Sequence, residues 1–216
     1  MKRHQQPVNY HQLFDEYSNP GSLQYKKMRI IDSFIPSGNT FLDIGMGTGE
    51  LINIVKSKFN VKCGFDPDHN SYCICCDRFR EDSTIQLFHG KVNILKSLIG
   101  DYRFDVITAL DVLEHLSEKE CEETLRLSFD LLNEGGIFIF SGPGVFEKIR
   151  IYLGLSPTHL HSHSPFGWKR IINKAGFEIM NVETVEFPIF HTDFLRKKVN
   201  IFGKCLVIIS KKEFER

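Results

Sequence analysis

The chain has 216 residues, and 27 Lys and Arg balance 27 Asp and Glu to a formal net charge of zero. That length suits one domain with at most a small appendage and is enough to bury a sizeable core. The balanced charge argues against a general polyanion binder, whose phosphate affinity needs a surplus of Lys and Arg.

Hydrophobic residues at 42% and charged residues at 25% fit a soluble globular protein, with 19 Phe against one Trp as the unusual figure. No stretch approaches the roughly 18 apolar residues of a membrane-spanning helix. The opening Met1–Pro7 has charges but no apolar run after them, unlike a signal peptide. Six cysteines spread along the chain point to reduced thiols and a cytoplasmic location. Cys73, Cys75 and Cys76 lack a second ligand pair at metal spacing, so they read as buried thiols on a helix.

In chain order, residues 1–24 are polar and turn-rich, and Gln24 to Phe34 reads as a helix stopped by Pro36-Ser37-Gly38. Thr40 to Ile44 is a short apolar strand that runs into a glycine cluster. Leu51 to Phe59 is helical in pattern, Val61 to Phe65 a strand, His69 to Arg80 a helix, and Ile85 to Phe88 a strand. Phe104 to Leu110 reads as a strand leading into a helix from about Val112, and Cys121 to Leu132 as a helix. Gly136 to Ser141 has an apolar centre without polar alternation, as in a parallel strand covered on both faces. Phe166 to Lys174 reads as a helix, and Glu178–Glu186 and Gly203–Ser210 as closing strands. Repeated strand–helix–strand spacing predicts a doubly wound α/β sheet, with an antiparallel addition at one edge.

The chemistry concentrates at Asp43-Ile44-Gly45-Met46-Gly47-Thr48-Gly49-Glu50, between the first strand and the next helix. Open α/β sheets bind ligands there, at the carboxyl ends of their strands. The spacing is Gly-x-Gly-x-Gly rather than the dinucleotide Gly-x-Gly-x-x-Gly, and three alternating glycines suit a loop that a ligand lies against. Asp66 ends the second strand, where an acid can accept both hydroxyls of a ribose; a helix cap before Pro67 is the plainer alternative.

These residues resemble the class I S-adenosylmethionine-dependent methyltransferases, over about residues 39–210. The resemblance is carried by Phe41 to Gly49, by Gly64-Phe65-Asp66-Pro67, by Phe104 to Leu116, and by Leu132-Asn133-Glu134-Gly135-Gly136. Within that superfamily the chain is most similar to small-molecule enzymes of the ubiquinone-biosynthesis O-methyltransferase type. Met46 stands where Cys is common, and Asn133-Glu134 where Lys-Pro is common. The resemblance implies a Rossmann-like sheet of seven strands ordered 3-2-1-4-5-7-6 with strand 7 antiparallel. It divides the chain into an N-terminal lid and helix (1–38) and a methyltransferase domain (39–216) with an acceptor-side insertion at 145–165. It implies a cofactor site of Asp43, Gly45, Met46, Gly47, Thr48, Gly49, Asp66 and Pro67, with Leu110 and Asp111 beside the sulfonium. After strand 3 the sequence His89-Gly90-Lys91-Val92-Asn93 lacks the usual acid, which leaves Val92 and Asn93 as the adenine contacts.

On the acceptor side, Asp111, Glu114 and His115 have i, i+3, i+4 spacing, which suits a base at His115 or, less favoured, a divalent metal. His161 and His163, in Thr158 to Ser164, are candidates for an acceptor-pocket histidine, and Ser164-Pro165 fits a helix cap. Tyr10, Phe14, Tyr17 and Tyr25 suit an aromatic lid or, equally, the packing of an amphipathic helix. Val145 to Leu155, with Lys148 and Arg150, suits packing or contact with lipid or a prenylated acceptor. Arg196-Lys197-Lys198 reads as a solvated turn. The expectation is methyl transfer from S-adenosylmethionine to an oxygen, less readily nitrogen or carbon, of a small-molecule or lipid-linked acceptor, and not nucleic acid. The alternatives are a catalytically silent cofactor-binding protein and a nicotinamide-dependent oxidoreductase.

Overall fold

A computed structural model describes residues 17, 19–144, 160, 163–185 and 205–212. In order these form α1 (Leu23–Phe34), β1 (Gly38–Ile44), α2 (Glu50–Val55), β2 (Phe59–Asp66), α3 (His69–Arg78), β3 (Ile85–His89) and α4 (Val92–Ile99). They continue with β4 (Phe104–Leu110), a 3-10 turn (Leu113–His115), α5 (Glu118–Leu131), β5 (Leu132–Pro143), α6 (Pro165–Lys174), β6 (Phe177–Val185) and β7 (Cys205–Lys212).

The strands make one seven-stranded sheet ordered β3-β2-β1-β4-β5-β7-β6. Strands β1 to β5 pair in parallel, and β7 runs antiparallel to both β5 and β6. This is the expected topology. The side-chain alternation of a strand explains how one sheet serves two cores. Leu42, Ile107, Phe138 and Phe140 face a core shared with α4, α5 and α6, while Phe41, Val106 and Ile139 face one shared with α1 and α2. The strand phenylalanines Phe41, Phe65, Phe104, Phe138 and Phe140 are fully buried, which accounts for part of the phenylalanine count.

Local chemistry sets the helix ends. Ser22 caps α1 by accepting the Tyr25 amide, and Ser117 and Glu120 form a reciprocal capping box at α5. Three lysines reach across the fold to carbonyls at helix C-termini. Lys58 Nζ donates to the Asp32 and Ile35 carbonyls at the end of α1. Lys62, only 3% exposed, donates to the Lys56 carbonyl just past α2. Lys212 donates to the Phe129 and Leu132 carbonyls at the end of α5.

The structure departs from the sequence reading at several places, among them β5, which begins at Leu132 rather than Gly136. Helix α4 lies where no helix was expected. α2 ends at Val55 rather than Phe59, because Phe59 already belongs to β2. The chain after β4 makes a single 3-10 turn rather than an α-helix from Val112, since Asp111 takes a left-handed φ of 54°.

Candidate active site

The glycine loop leaves the C-terminal end of β1 and turns back on the end of β2. The Gly45 and Met46 amides both donate to the Phe65 carbonyl, at 2.7 and 3.1 Å. Gly45 and Gly49 have φ of 76° and 79°, and a Cβ would lie 2.2 Å from Val112 Cγ2 at Gly45 and 2.6 Å from Phe79 Cε2 at Gly49. Gly47 is also left-handed at 53°, but a Cβ there would meet nothing within 4 Å. The outer two glycines are thus required by packing, and the central one by backbone conformation and an open approach.

Side chains from α3 brace the loop from behind. Arg78 donates to the Thr48 carbonyl at 2.9 Å and forms a two-pronged pair with Glu50. The Cys75 thiol donates to the Gly47 carbonyl at 3.1 Å. Cys75 is buried as expected, but Cys73 is exposed and Cys76 half-buried, so the cluster is not uniformly buried.

Two carboxyls lie under the loop. Asp43 is 3% exposed and accepts from the Thr108 hydroxyl at 2.6 Å. Burial pushes its carboxyl up to about 7, with Thr108 opposing and the nearby Asp66 adding to the rise. Asp66 accepts the Gly47 amide on Oδ2 at 2.9 Å and the Asp68 amide on Oδ1 at 2.8 Å. Burial raises its carboxyl too, against those two amides. The cap of α3 is Asp68, which accepts the Ser71 amide, so Asp66 is available to span loop and strand end.

A cavity of about 80 Å³ opens among Tyr17, Asp43, Gly45 to Thr48, Glu50 and Leu110. Tyr17 from the expected lid thus lies on this site, and burial pushes its phenol up to about 12 despite the attraction of Lys27. Tyr10 and Phe14 fall outside the described residues, as do Val145 to Leu155 and Arg196 to Lys198. Val92 and Asn93 form the first turn of α4 and do not line this cavity; Val92 packs on the core and Asn93 is exposed. The end of β3 carries an aromatic group instead. His89 lies edge-on to His69 at 5.2 Å and tilted to Tyr72 at 5.5 Å, and its Nε2 is 3.2 Å from the Pro67 carbonyl.

Beyond β4, Asp111 meets a partner that sequence reading missed. Lys27, on α1 and 2% exposed, donates to Asp111 Oδ2. Ser141 at the end of β5 donates its hydroxyl to Oδ1 at 2.9 Å and accepts the Asp111 amide on its carbonyl at 2.9 Å. Burial works to raise the Asp111 carboxyl, but the Lys27 ammonium and the Ser141 hydroxyl hold it below the usual carboxylate range. A lysine beside Met28 on the apolar side of α1 was the available sequence signal.

The less favoured option of a divalent metal at Asp111, Glu114 and His115 finds no support. Asp111 points to Lys27 and Ser141, Glu114 is 2% exposed, and His115 is exposed. The left-handed residue and short 3-10 turn break the helical alignment on which that spacing depended. Among the described residues, no three His, Cys, Asp or Glu groups are placed to hold a metal ion.

His115 stands at the mouth of β4, and the Leu160 amide donates to the Glu114 carbonyl beside it. His163 packs edge-on to Trp168 at 4.9 Å. Ser164 caps α6 and Pro165 opens it, as expected. His161 lies outside the described residues. Leu160 and Phe166 are 58% and 69% exposed. No described helix is long and apolar enough to cross a membrane.

A sheet of this order with a glycine loop and an acid at the ends of β1 and β2 defines a class I methyltransferase. The chain matches the family described as a methyltransferase domain over residues 17–182 and belongs to it. No curated protein matches the sequence. Among solved structures it is similar to a methyltransferase from Haloferax volcanii, solved in complex with the Trm112 methyltransferase activator. The two share 14% identity, with a TM-score of 0.70 and coverage of 95% of this chain and 93% of the other. A SAM-dependent methyltransferase from Archaeoglobus fulgidus shares 22% identity, with a TM-score of 0.66 and coverage of 94% and 100%. The N-methyltransferase NodS from Bradyrhizobium japonicum shares 13% identity, with a TM-score of 0.67 and coverage of 92% and 99%.

Proposed function

We propose that this protein transfers a methyl group from S-adenosylmethionine to an oxygen of a small or lipid-linked acceptor at the C-terminal ends of β1, β2 and β4. The observation that carries the reading is the open left-handed Gly47 facing a cavity walled by Asp43, Leu110 and Glu50, with Asp66 bonded to the same glycine. These residues fit the cofactor. The loop from Gly45 to Gly49 would take the methionine portion against bare backbone. Asp66 and Pro67 would take the ribose edge, and Leu110 would pack beside the sulfur. When bound, the cofactor supplies an electrophilic methyl group on a sulfonium.

The protein's part is alignment and exclusion of water, because a thioether leaving group needs no proton. Tyr17 covers the loop side. His115, exposed just past β4, would take a proton from a hydroxyl acceptor, with His163 and His161 as further candidate acceptor-side groups. The exposed Leu160, bonded through its amide to the Glu114 carbonyl beside His115, supports an apolar or aromatic acceptor over a highly charged one. The free thiols, four of them buried, favour the cytoplasm.

Calorimetry with S-adenosylmethionine and S-adenosylhomocysteine tests the site. Asp66→Ala is expected to weaken either ligand by roughly tenfold or more. Unchanged affinity would remove Asp66 from the site, and absence of binding to the wild type would sink the reading. In an acceptor screen with labelled methyl donor, His115→Ala is expected to lower turnover while cofactor affinity holds; normal turnover would eliminate it as the base.

A further inference from the structure

Asp111 is the one non-glycine residue among the described positions with a positive φ, at 54°. An L-residue rarely adopts that conformation, and backbone held there tends to mark functional positions. Three contacts impose it: the Asp111 amide to the Ser141 carbonyl, the Ser141 hydroxyl to Oδ1, and the Lys27 ammonium to Oδ2.

The pair is asymmetric. The Lys27 side chain is 2% exposed and that of Asp111 is 36% exposed. The ammonium therefore sits behind and the carboxylate in front, as a dipole with its negative end outward. Each carboxylate oxygen can accept two hydrogen bonds, so the exposed edge keeps capacity after the Ser141 and Lys27 bonds. Its chain neighbour Leu110 lines the cavity beside the glycine loop. A group bonded to that edge would lie at the mouth of the cofactor site.

We infer that Asp111 is the acceptor-orienting residue of this enzyme, selecting acceptors whose reacting end bears an O–H or N–H donor and no negative charge. Lys27 is its positioning residue: it fixes the carboxylate from behind and touches no substrate. An ionised carboxylate only accepts hydrogen bonds, so hydroxyls, amines and ammonium groups are held while carboxylates and phosphates are repelled. The inference rests on the methyltransferase-site reading and narrows its acceptor.

Benzylamine, benzyl alcohol and benzoate share a ring and differ in the group presented, so they serve as probes. The full chain is saturated with S-adenosylhomocysteine, separately for each variant, and fragment affinities are measured by ligand-observed NMR titration. The wild type is expected to bind benzylamine and benzyl alcohol roughly tenfold more tightly than benzoate. Asp111→Asn should flatten that order. The double variant Lys27→Met/Asp111→Asn should flatten it equally, and it leaves no buried lone ammonium should the single variant fail to fold.

Benzoate binding as tightly as benzylamine to the wild type, no fragment binding at all, or an unchanged order in a folded variant overturns the inference. Failure of S-adenosylhomocysteine to bind the wild type overturns the site reading and this inference together. Bound S-adenosylhomocysteine with a flat order in the wild type overturns the inference alone.

Discussion

The Lys27–Asp111 pair makes an asymmetric prediction about stability. Asp111→Asn strands an ammonium that is 2% exposed, whereas Lys27→Met strands a carboxylate that is 36% exposed and can take up water. Removing one partner of a buried pair costs about 3–5 kcal/mol, and Asp111→Asn should fall in that range. For Lys27→Met, solvent screening of the surviving carboxylate cuts the cost to about 1 kcal/mol. In a chain of this size the first loss lowers Tm by roughly 10 °C and the second by only a few degrees. The double variant should be more stable than Asp111→Asn alone, with a coupling of about 2 kcal/mol. Urea unfolding of all four proteins at neutral pH, with unchanged m-values, measures this. Equal costs for the two single variants, or a coupling near zero, would refute the buried-ammonium argument. The pH dependence follows from the lowered Asp111 carboxyl. Its stabilisation is present above the unfolded value of about 4 and fades as pH falls through the lower folded value. The gap between wild type and Lys27→Met should therefore narrow below about pH 4.

Two other perturbations bear on the loop. Gly45→Ala should destabilise by more than about 2 kcal/mol, because the added methyl collides with Val112, whereas Gly47→Ala should cost only the about 1 kcal/mol of a left-handed alanine. Thermal melts that rank the two the other way would contradict the packing described for Gly45. Asp43 has the opposite pH sign to Asp111. Its folded carboxyl is raised to about 7, so its stabilising contribution is complete below about pH 4 and is lost as pH rises through 7. Asp43→Asn should remove that slope from urea midpoints taken between pH 4.5 and 7.5; parallel curves would show that Asp43 does not titrate in this window.

The parts of the fold and site that were legible in the sequence rest on short-range patterns. Apolar runs such as Phe104 to Leu110 read as parallel strands because both faces are covered, and the loop glycines punctuate a strand–helix junction. Ser164-Pro165 announced the start of α6 in the same way. What was hidden depends on distant partners. Lys27 and Asp111 are 84 positions apart, and no local pattern shows that they meet. Once paired to Lys27 and Ser141, Asp111 leaves the helical register that made it look like a metal ligand. Helix α4 is obscured because it spans only Val92 to Ile99 and no side chain caps its start. The bracing of the loop by Arg78 and Cys75 is likewise a tertiary arrangement on an otherwise ordinary helix.

The lysines that reach helix C-termini bear on how the chain folds. Lys58 and Lys212 precede or end strands, yet they complete α1 and α5. The Asp32 carbonyl also accepts the Ile35 amide from α1's own C-cap, so the lysine adds to what the helix supplies itself, and each terminal turn gains that further partner only after a remote piece of the sheet has docked. Lys212 is the last residue of β7, the final strand of the sheet in sequence order. The end of α5 is therefore closed from the last strand of the sheet, which couples helix and sheet into one cooperative unit. Partial unfolding at the β7 edge should open the C-terminus of α5, although roughly eighty residues separate them in the chain.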